Sequence, residues 1–379
     1  MNIGVLCPNC GLMQMNRPAC KSCGAPLSDS ALMPSSSFAP SPPQEIRYAP
    51  DPPSPHSLPL KGGAENAAAA RLSFHGKGRE LFGIYLINIF LSLVTLGIYY
   101  FWGKVKIRNY LFSHTEFWQE RFVYHGTGKE LLVGFLKALV LFFIPLYALN
   151  AAPALLETGL VFQAVATGLT YGIVMVFVPL AMVGARRYRL SRTSWRGIRF
   201  SFRGEAWDFI KIFGLGSILS TITLSLYFPF FDAKRYDFMV SHSYFGNQKF
   251  GFDGCGKDLL RPFLFAILLT LPTLGLYWFW YWAKRQRYYW EHTSCGSARF
   301  RSTVTGRALM NLHLANFLIA LVTLGLGWPW ILTRKIRFIG KYLTLEGLMD
   351  LAEIRQDAKQ ANATGEALSG FLDADFSLG

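Results

Sequence analysis

Four cysteines near the start of the chain, Cys7, Cys10, Cys20 and Cys23, are spaced as CPNC-x9-CKSC, and both pairs continue into glycine, Gly11 and Gly24. Two CxxC turns each aim a pair of thiolates at one point, and the glycine lets the backbone turn so that its N–H groups approach sulfur. Four thiolates closing a tetrahedron mark a structural rather than a catalytic zinc site. The same ligand set also suits iron. Two disulfides or a redox CxxC are the alternatives, and both are disfavoured in a cytosolic segment without a βαβ context. About 25 residues cannot bury a core, so metal binding is expected to fold residues 1–27. Cys255 and Cys295 stand apart, each beside glycine, and read as free thiols in loops.

A second group of residues with chemical potential recurs along the chain. His114, His242 and His292 occupy one repeated place, with Arg192 in the remaining copy. Metal or proton chemistry would need these rings within a few ångströms of one another, each oriented by a further partner. The simpler reading ends an amphipathic helix at the lipid headgroups with a polar aromatic. Gly76 and Gly78 imitate a nucleotide-binding GxGxxG, but no Rossmann strand–helix context surrounds them. No catalytic residue is therefore assigned, and a non-enzyme is expected. Clusters such as Lys106, Arg108, Arg186, Arg187, Lys234, Arg235, Lys284, Arg287, Arg334 and Arg337 suit anionic lipid headgroups, whereas an inward-facing arginine would mark a substrate path.

The elements that must position these residues follow from composition. The 379-residue chain is 51% hydrophobic, 16% aromatic and only 16% charged, against roughly 25% charged in soluble domains. Apolar runs near 81–102, 131–149, 160–184, 209–231, 259–282 and 309–332 each approach the about 20 residues that cross hydrocarbon. The net charge of +15 does not indicate nucleic acid, because the basic residues sit at the ends of apolar runs, where headgroups and the positive-inside rule place them. The first residues form no signal-peptide apolar region, so the N-terminus is expected in the cytoplasm. Residues 28–70 are rich in Pro and Ser and are expected to be a disordered tether. Residues 349–379 form an acidic tail without a further span.

Between these, the chain repeats itself. A phrase of the form basic-Phe-x-aromatic-x-Gly opens at Arg71, Arg121, Arg199, Lys249 and, in worn form, Arg299, at intervals of 50, 78, 50 and 50 residues. Fixed-period self-similarity decides a fold before anything else does. The phrase alternates apolar and polar residues and predicts a short surface strand or half-hairpin. An acidic residue then falls at a helix start (Glu80, Glu130, Asp208, Asp258), where the helix dipole favours it. After each apolar run come Thr-Leu-Gly at 95–97, 273–275 and 323–325 and an aromatic cluster ending in Trp102, Trp280 and Trp330, suited to the interfacial belt.

TLGIYYFW followed by a basic helix, HT six residues before RF-x-Y-x-G-x-G, and the tail TGEALSGFLDADFSLG resemble the YjgN-like family of bacterial inner-membrane proteins over roughly residues 71–379. The family phrase usually runs TLGIY-x-PW; Phe101 and Phe279 replace its proline and Pro329 retains it. The resemblance implies an integral protein of the bacterial inner membrane, without an assigned activity or catalytic residues to carry over. The cysteine module and the proline-rich tether look like additions to it.

The expected architecture is thus a zinc ribbon (1–27), a linker (28–70), a mainly α, polytopic helical membrane domain of about 50-residue repeats (71–348) and the tail. The expected function is a scaffold, regulator or lipid-contact protein whose zinc ribbon docks a cytosolic partner. A transporter or channel built on repeated units is the first alternative, and a membrane enzyme acting on lipid or cell-wall precursors the second. Charge bias conflicts with six simple spans if both termini are cytoplasmic. The conflict resolves if 131–184 is a two-span hairpin around Ala151–Pro153 while the other runs break and fold back, with glycine ending the helix at Gly97, Gly275 and Gly325.

Overall fold

A computed structural model describes residues 4–6, 13–15, 70–155, 159–347, 351 and 353–356. The linker and almost all of the acidic tail lie outside the described residues. The chain divides into two units, Met1–Gly63 and Ala64–Gly379. In the first, β1 (Gly4–Leu6) pairs antiparallel with β2 (Met13–Met15).

The second unit alternates paired strands with helical hairpins. β3 (Ala70–Phe74) leads into α1 (Gly78–Val94) and α2 (Tyr100–Ser113), which return the chain to β4 (Thr115–Phe117) and β5 (Glu120–Tyr124). The second hairpin is longer: α3 (Gly128–Ala138), one π-helical turn, α4 (Ile144–Leu155) and α5 (Leu160–Ser191). After β6 (Thr193–Trp195) and β7 (Ile198–Phe202) come α6 (Ala206–Ile222) and α7 (Phe228–Ser241). β8 (Ser243–Phe245) and β9 (Gln248–Phe252) precede α8 (Gly256–Leu268) and α9 (Trp278–Glu291). β10 (Thr293–Cys295) and β11 (Ala298–Ser302) precede α10 (Gly306–Val322), α11 (Trp328–Tyr342) and β12 (Leu343–Glu346).

β3 to β12 form one closed antiparallel barrel in sequence order, with β12 pairing back onto β3. Two-residue turns join β4 to β5 and β6 to β7; Trp118 and Gln119, then Arg196 and Gly197, take the positive φ that such tight hairpins require. Strand alternation places Phe117, Phe122, Trp195, Phe200, Phe245, Phe250, Cys295, Phe300 and Leu345 in one register-matched belt. Trp195, Phe245 and Ile354 form a buried cluster there, and the Asn247 N–H donates to the Arg355 carbonyl at 3.1 Å, tying residues 353–356 to this end of the barrel. The strands hold three to five residues, far short of the about 9–11 that cross a bilayer, so this barrel does not span one.

The expectation of a mainly α, polytopic helical protein is overturned. The sequence phrases expected to be short surface strands or half-hairpins are the staves of a barrel that organises the whole unit. Among the described residues, two stretches, Gly128–Ala151 and Leu160–Ser191, are long and apolar enough to cross a membrane, against six expected. The physical reason is visible at each Thr-Leu-Gly. The Gly97 N–H reaches the Ser92 carbonyl at 2.7 Å and the Leu96 N–H the Leu93 carbonyl at 3.2 Å, a Schellman stop. The residue taking the left-handed turn after the helix is Leu96 (φ 50), with Gly97 (φ 90) following. Leu224, Leu274 and Leu324 repeat this, and Ser225 stands where the others have glycine. Thr95, Thr223, Thr273 and Thr323 then accept the N–H of Tyr99, Tyr227, Tyr277 and Gly327 through their hydroxyls and start the return helix. Each turn sends the chain back to the same end of the barrel.

Candidate functional site

The hairpins are locked to their neighbours by glycine sockets. A Cβ on Gly128 would meet the Trp102 ring at 2.6 Å, and Gly306 and Gly78 stand likewise against Trp280 and Trp330. The last contact joins the fifth hairpin to the first, where Arg337 also donates to the Gly76 carbonyl at 2.6 Å. The tryptophans expected only as an interfacial belt thus also close the ring of hairpins.

Three of the five hairpins, the first, second and fourth, are braced at the base by the acidic residue at the helix start. The Tyr110 hydroxyl donates to Glu80 at 2.8 Å and accepts the Lys77 N–H at 2.8 Å. Tyr188 donates to Glu130 at 2.9 Å and Tyr288 to Asp258. Phe238 and Phe338 fill the equivalent places, and there Asp208 pairs with Lys211. The repeated histidines are helix caps: Nδ1 of His114, His242 and His292 bonds the carbonyl four residues earlier, at 2.8 to 2.9 Å. Arg192, in the same place, makes a two-pronged pair with Glu130. The three rings are not brought together, and among the described residues no group of three or more His, Cys, Asp or Glu side chains could hold a metal. Cys7, Cys10, Cys20 and Cys23 lie outside the described residues.

One place breaks the regularity. Counting ten residues back from His114, Arg192, His242, His292 and Tyr342, whose carbonyls accept equivalent strand-end N–H groups, gives Lys104, Met182, Asp232, Trp282 and Leu332. Asp232 on α7 is 1% exposed. Arg285 on α9 clasps both its oxygens, Arg235 donates to Oδ1 at 2.7 Å, and the Tyr289 hydroxyl donates to Oδ2. Burial alone would raise the Asp232 pKa; Arg285, Arg235 and Tyr289 outweigh it and hold the group below its usual range. Tyr236 stacks on Tyr289 with ring centroids 4.4 Å apart. Tyr289 and Tyr281 are likewise particular to the fourth hairpin, where the other copies have Leu111, Arg189, Met239 and Ile339, and Gly103, Ala181, Phe231 and Ile331. Sequence reasoning missed this site; aligning the copies would have exposed an acid where no other copy carries one.

Such an ionised carboxylate is saturated by donors. It can cross-brace two hairpins, and it has no free lone pair directed at a substrate. Cys295, expected in a loop, is a buried strand residue whose thiol burial pushes up to about 12, so it is unreactive at neutral pH. Cys255 is exposed at the start of α8.

Five strand-linked hairpins on a ten-stranded barrel define a repeat-built class, and residues 69–275 and 262–371 match the family described as bacterial protein of unknown function, DUF898. The chain belongs to that family. It is similar to the protein named Inner membrane protein YjgN of Salmonella typhimurium, 30% identical over 132 residues, which are 35% of this chain and 31% of that protein. Its namesake in Escherichia coli K12 is 33% identical over 129 residues, 34% of this chain and 30% of the relative. The namesake in Escherichia coli O157:H7 is 30% identical over 163 residues, 41% of this chain and 38% of the relative. The matched stretches span about a third of these relatives' length. No solved structure matches the chain.

Proposed function

We propose that the chain is a non-enzymatic scaffold of the bacterial inner membrane, with barrel and both termini in the cytoplasm and a zinc-bound module docking a cytosolic protein. The observation that carries this reading is the fate of the ionisable groups. Asp232, Glu130, Glu80 and Asp258 are each engaged in holding one helix to another, where an enzyme or carrier would keep such groups for its substrate. The relatives' printed names support the membrane assignment. By their CPNC-x9-CKSC spacing, Cys7, Cys10, Cys20 and Cys23 would hold one structural zinc. The basic residues of the return helices would meet anionic headgroups.

The test is purification of the full chain in native lipid, with elemental analysis and mass spectrometry of what accompanies it. About one zinc per chain and a protein at fixed stoichiometry are expected, both lost in Cys10→Ser. A small molecule bound at fixed stoichiometry, or a protein retained by zinc-free Cys10→Ser, would overturn the docking role.

A further inference from the structure

The depth of each hairpin can be read from its exposed side chains. In α1 the exposed apolar side chains begin at Leu86, ten residues before the tip residue Leu96, and Lys106, an exposed cation, lies ten residues beyond it. Leu264 and Leu314 begin the exposed stretch at the same place in their hairpins, Val133 begins it three residues earlier in the second, and in the third, above Trp207 at its base, Leu215 begins it one residue later. Lys234, Lys284 and Arg334 repeat the exposed cation of Lys106. Ten helical residues measure about 15 Å, half of the roughly 30 Å hydrocarbon core. The tips are bare: Leu96, Leu224, Leu274 and Leu324 are 94%, 87%, 92% and 90% exposed. Four hairpins therefore match one leaflet in length, with a cationic rim where its headgroups would lie.

The second hairpin differs by twenty-eight additional residues. Shared between its legs, they add about 21 Å, which carries it through the opposite leaflet as well. All ten legs start from one end of the barrel. Ten legs thus displace lipid in the leaflet beside the barrel, and two in the other. The backbone adds an independent sign. A left-handed leucine is disfavoured, yet all four short hairpins place one at the tip, where only an apolar surround would reward it.

We propose that the chain is a one-leaflet wedge, and that its ligand is a lipid surface curved convex toward the barrel. Insertion on one side expands that leaflet, so packing is relieved where the membrane bulges to the barrel side. This rests on the membrane placement proposed above, not on the docking role, and the two fail separately.

The experiment uses the full chain reconstituted barrel-outward in mixed vesicles of phosphatidylethanolamine and phosphatidylglycerol, about 50 and about 400 nm across, with surface density counted per vesicle. A density at least about twofold higher on the small vesicles is expected. The second variant is Leu96→Asn with Leu224→Asn, Leu274→Asn and Leu324→Asn. Asparagine accepts the left-handed conformation and keeps the turn, so the thermal transition in detergent should hold while the size preference falls to unity. Equal densities for the parent chain, or unchanged sorting by the folded asparagine variant, would overturn the proposal. So would labelling of a tip cysteine at 96, 224, 274 or 324 by an impermeant reagent from the side opposite the barrel.

Discussion

Asp232 is the residue on which the fold's asymmetry turns. Its carboxylate has two guanidiniums and a phenol for four donated hydrogen bonds, while Arg285 and Arg235 are themselves about one-fifth exposed. Removing one partner of such a pair leaves the others charged and poorly solvated, which costs about 3–5 kcal/mol. Asp232→Asn should therefore lower the thermal transition in detergent far more than Asp237→Asn, whose carboxylate lies on the exposed face of the same helix. The pH dependence follows from the depressed pKa. With the unfolded carboxyl titrating near its ordinary value of about 3.9, the stabilisation is complete above that value and is lost as pH falls through the lower folded value. Arg285 stays charged throughout, so the share of the acid-side loss that Asp232 carries should be absent in Asp232→Asn, and the variant's acid limb should be shallower than the parent's. An unchanged acid limb in the variant would assign that loss to other carboxylates. The repeated histidines, read more simply as helix-end residues than as a ring, each close their own helix through the carbonyl four residues back.

At the scale of elements, the socket contacts explain why glycine opens α1, α3 and α10. Gly78, Gly128 and Gly306 each face an indole closer than a Cβ permits. Gly128→Val should cost about 1–3 kcal/mol by overpacking, and Gly159→Ala, with open space around it, almost nothing; denaturation in detergent micelles would compare the two. Much at this scale was legible. The Thr-Leu-Gly stops, the longer helical hairpin over 131–184 and the five strand phrases are local chemistry, and local chemistry repeats visibly. Thr223-Leu224-Ser225 escaped notice because serine stands at the glycine position, although its spacing from Thr95 matches. The barrel was not legible, since strands of three to five residues carry too little alternation to announce their pairing, and closure through β12 onto β3 joins residues far apart in sequence. Six apolar runs look like six spans for the same reason: hydropathy reports how apolar a segment is, and the leucine turn that reverses the chain within it is a backbone feature.

At the scale of the molecule, closure and depth are coupled. Because each hairpin begins and ends on neighbouring strands of one barrel, no hairpin can leave one end of its legs on the far side of the bilayer. Under the membrane placement proposed above, that constraint puts the basic return helices on one side, where charge bias and six simple spans had been in conflict. It is checked directly by single cysteines at Gln119, Arg196 and Ser297 in the barrel turns and at Gly159 between the long legs, in a full chain lacking its native cysteines. Labelled in sealed vesicles by an impermeant maleimide, the three barrel positions should react from one side and Gly159→Cys from the other. If Arg196→Cys reacted from the side opposite Gln119→Cys, the chain would cross the bilayer an odd number of times between them, and the one-sided barrel would be contradicted.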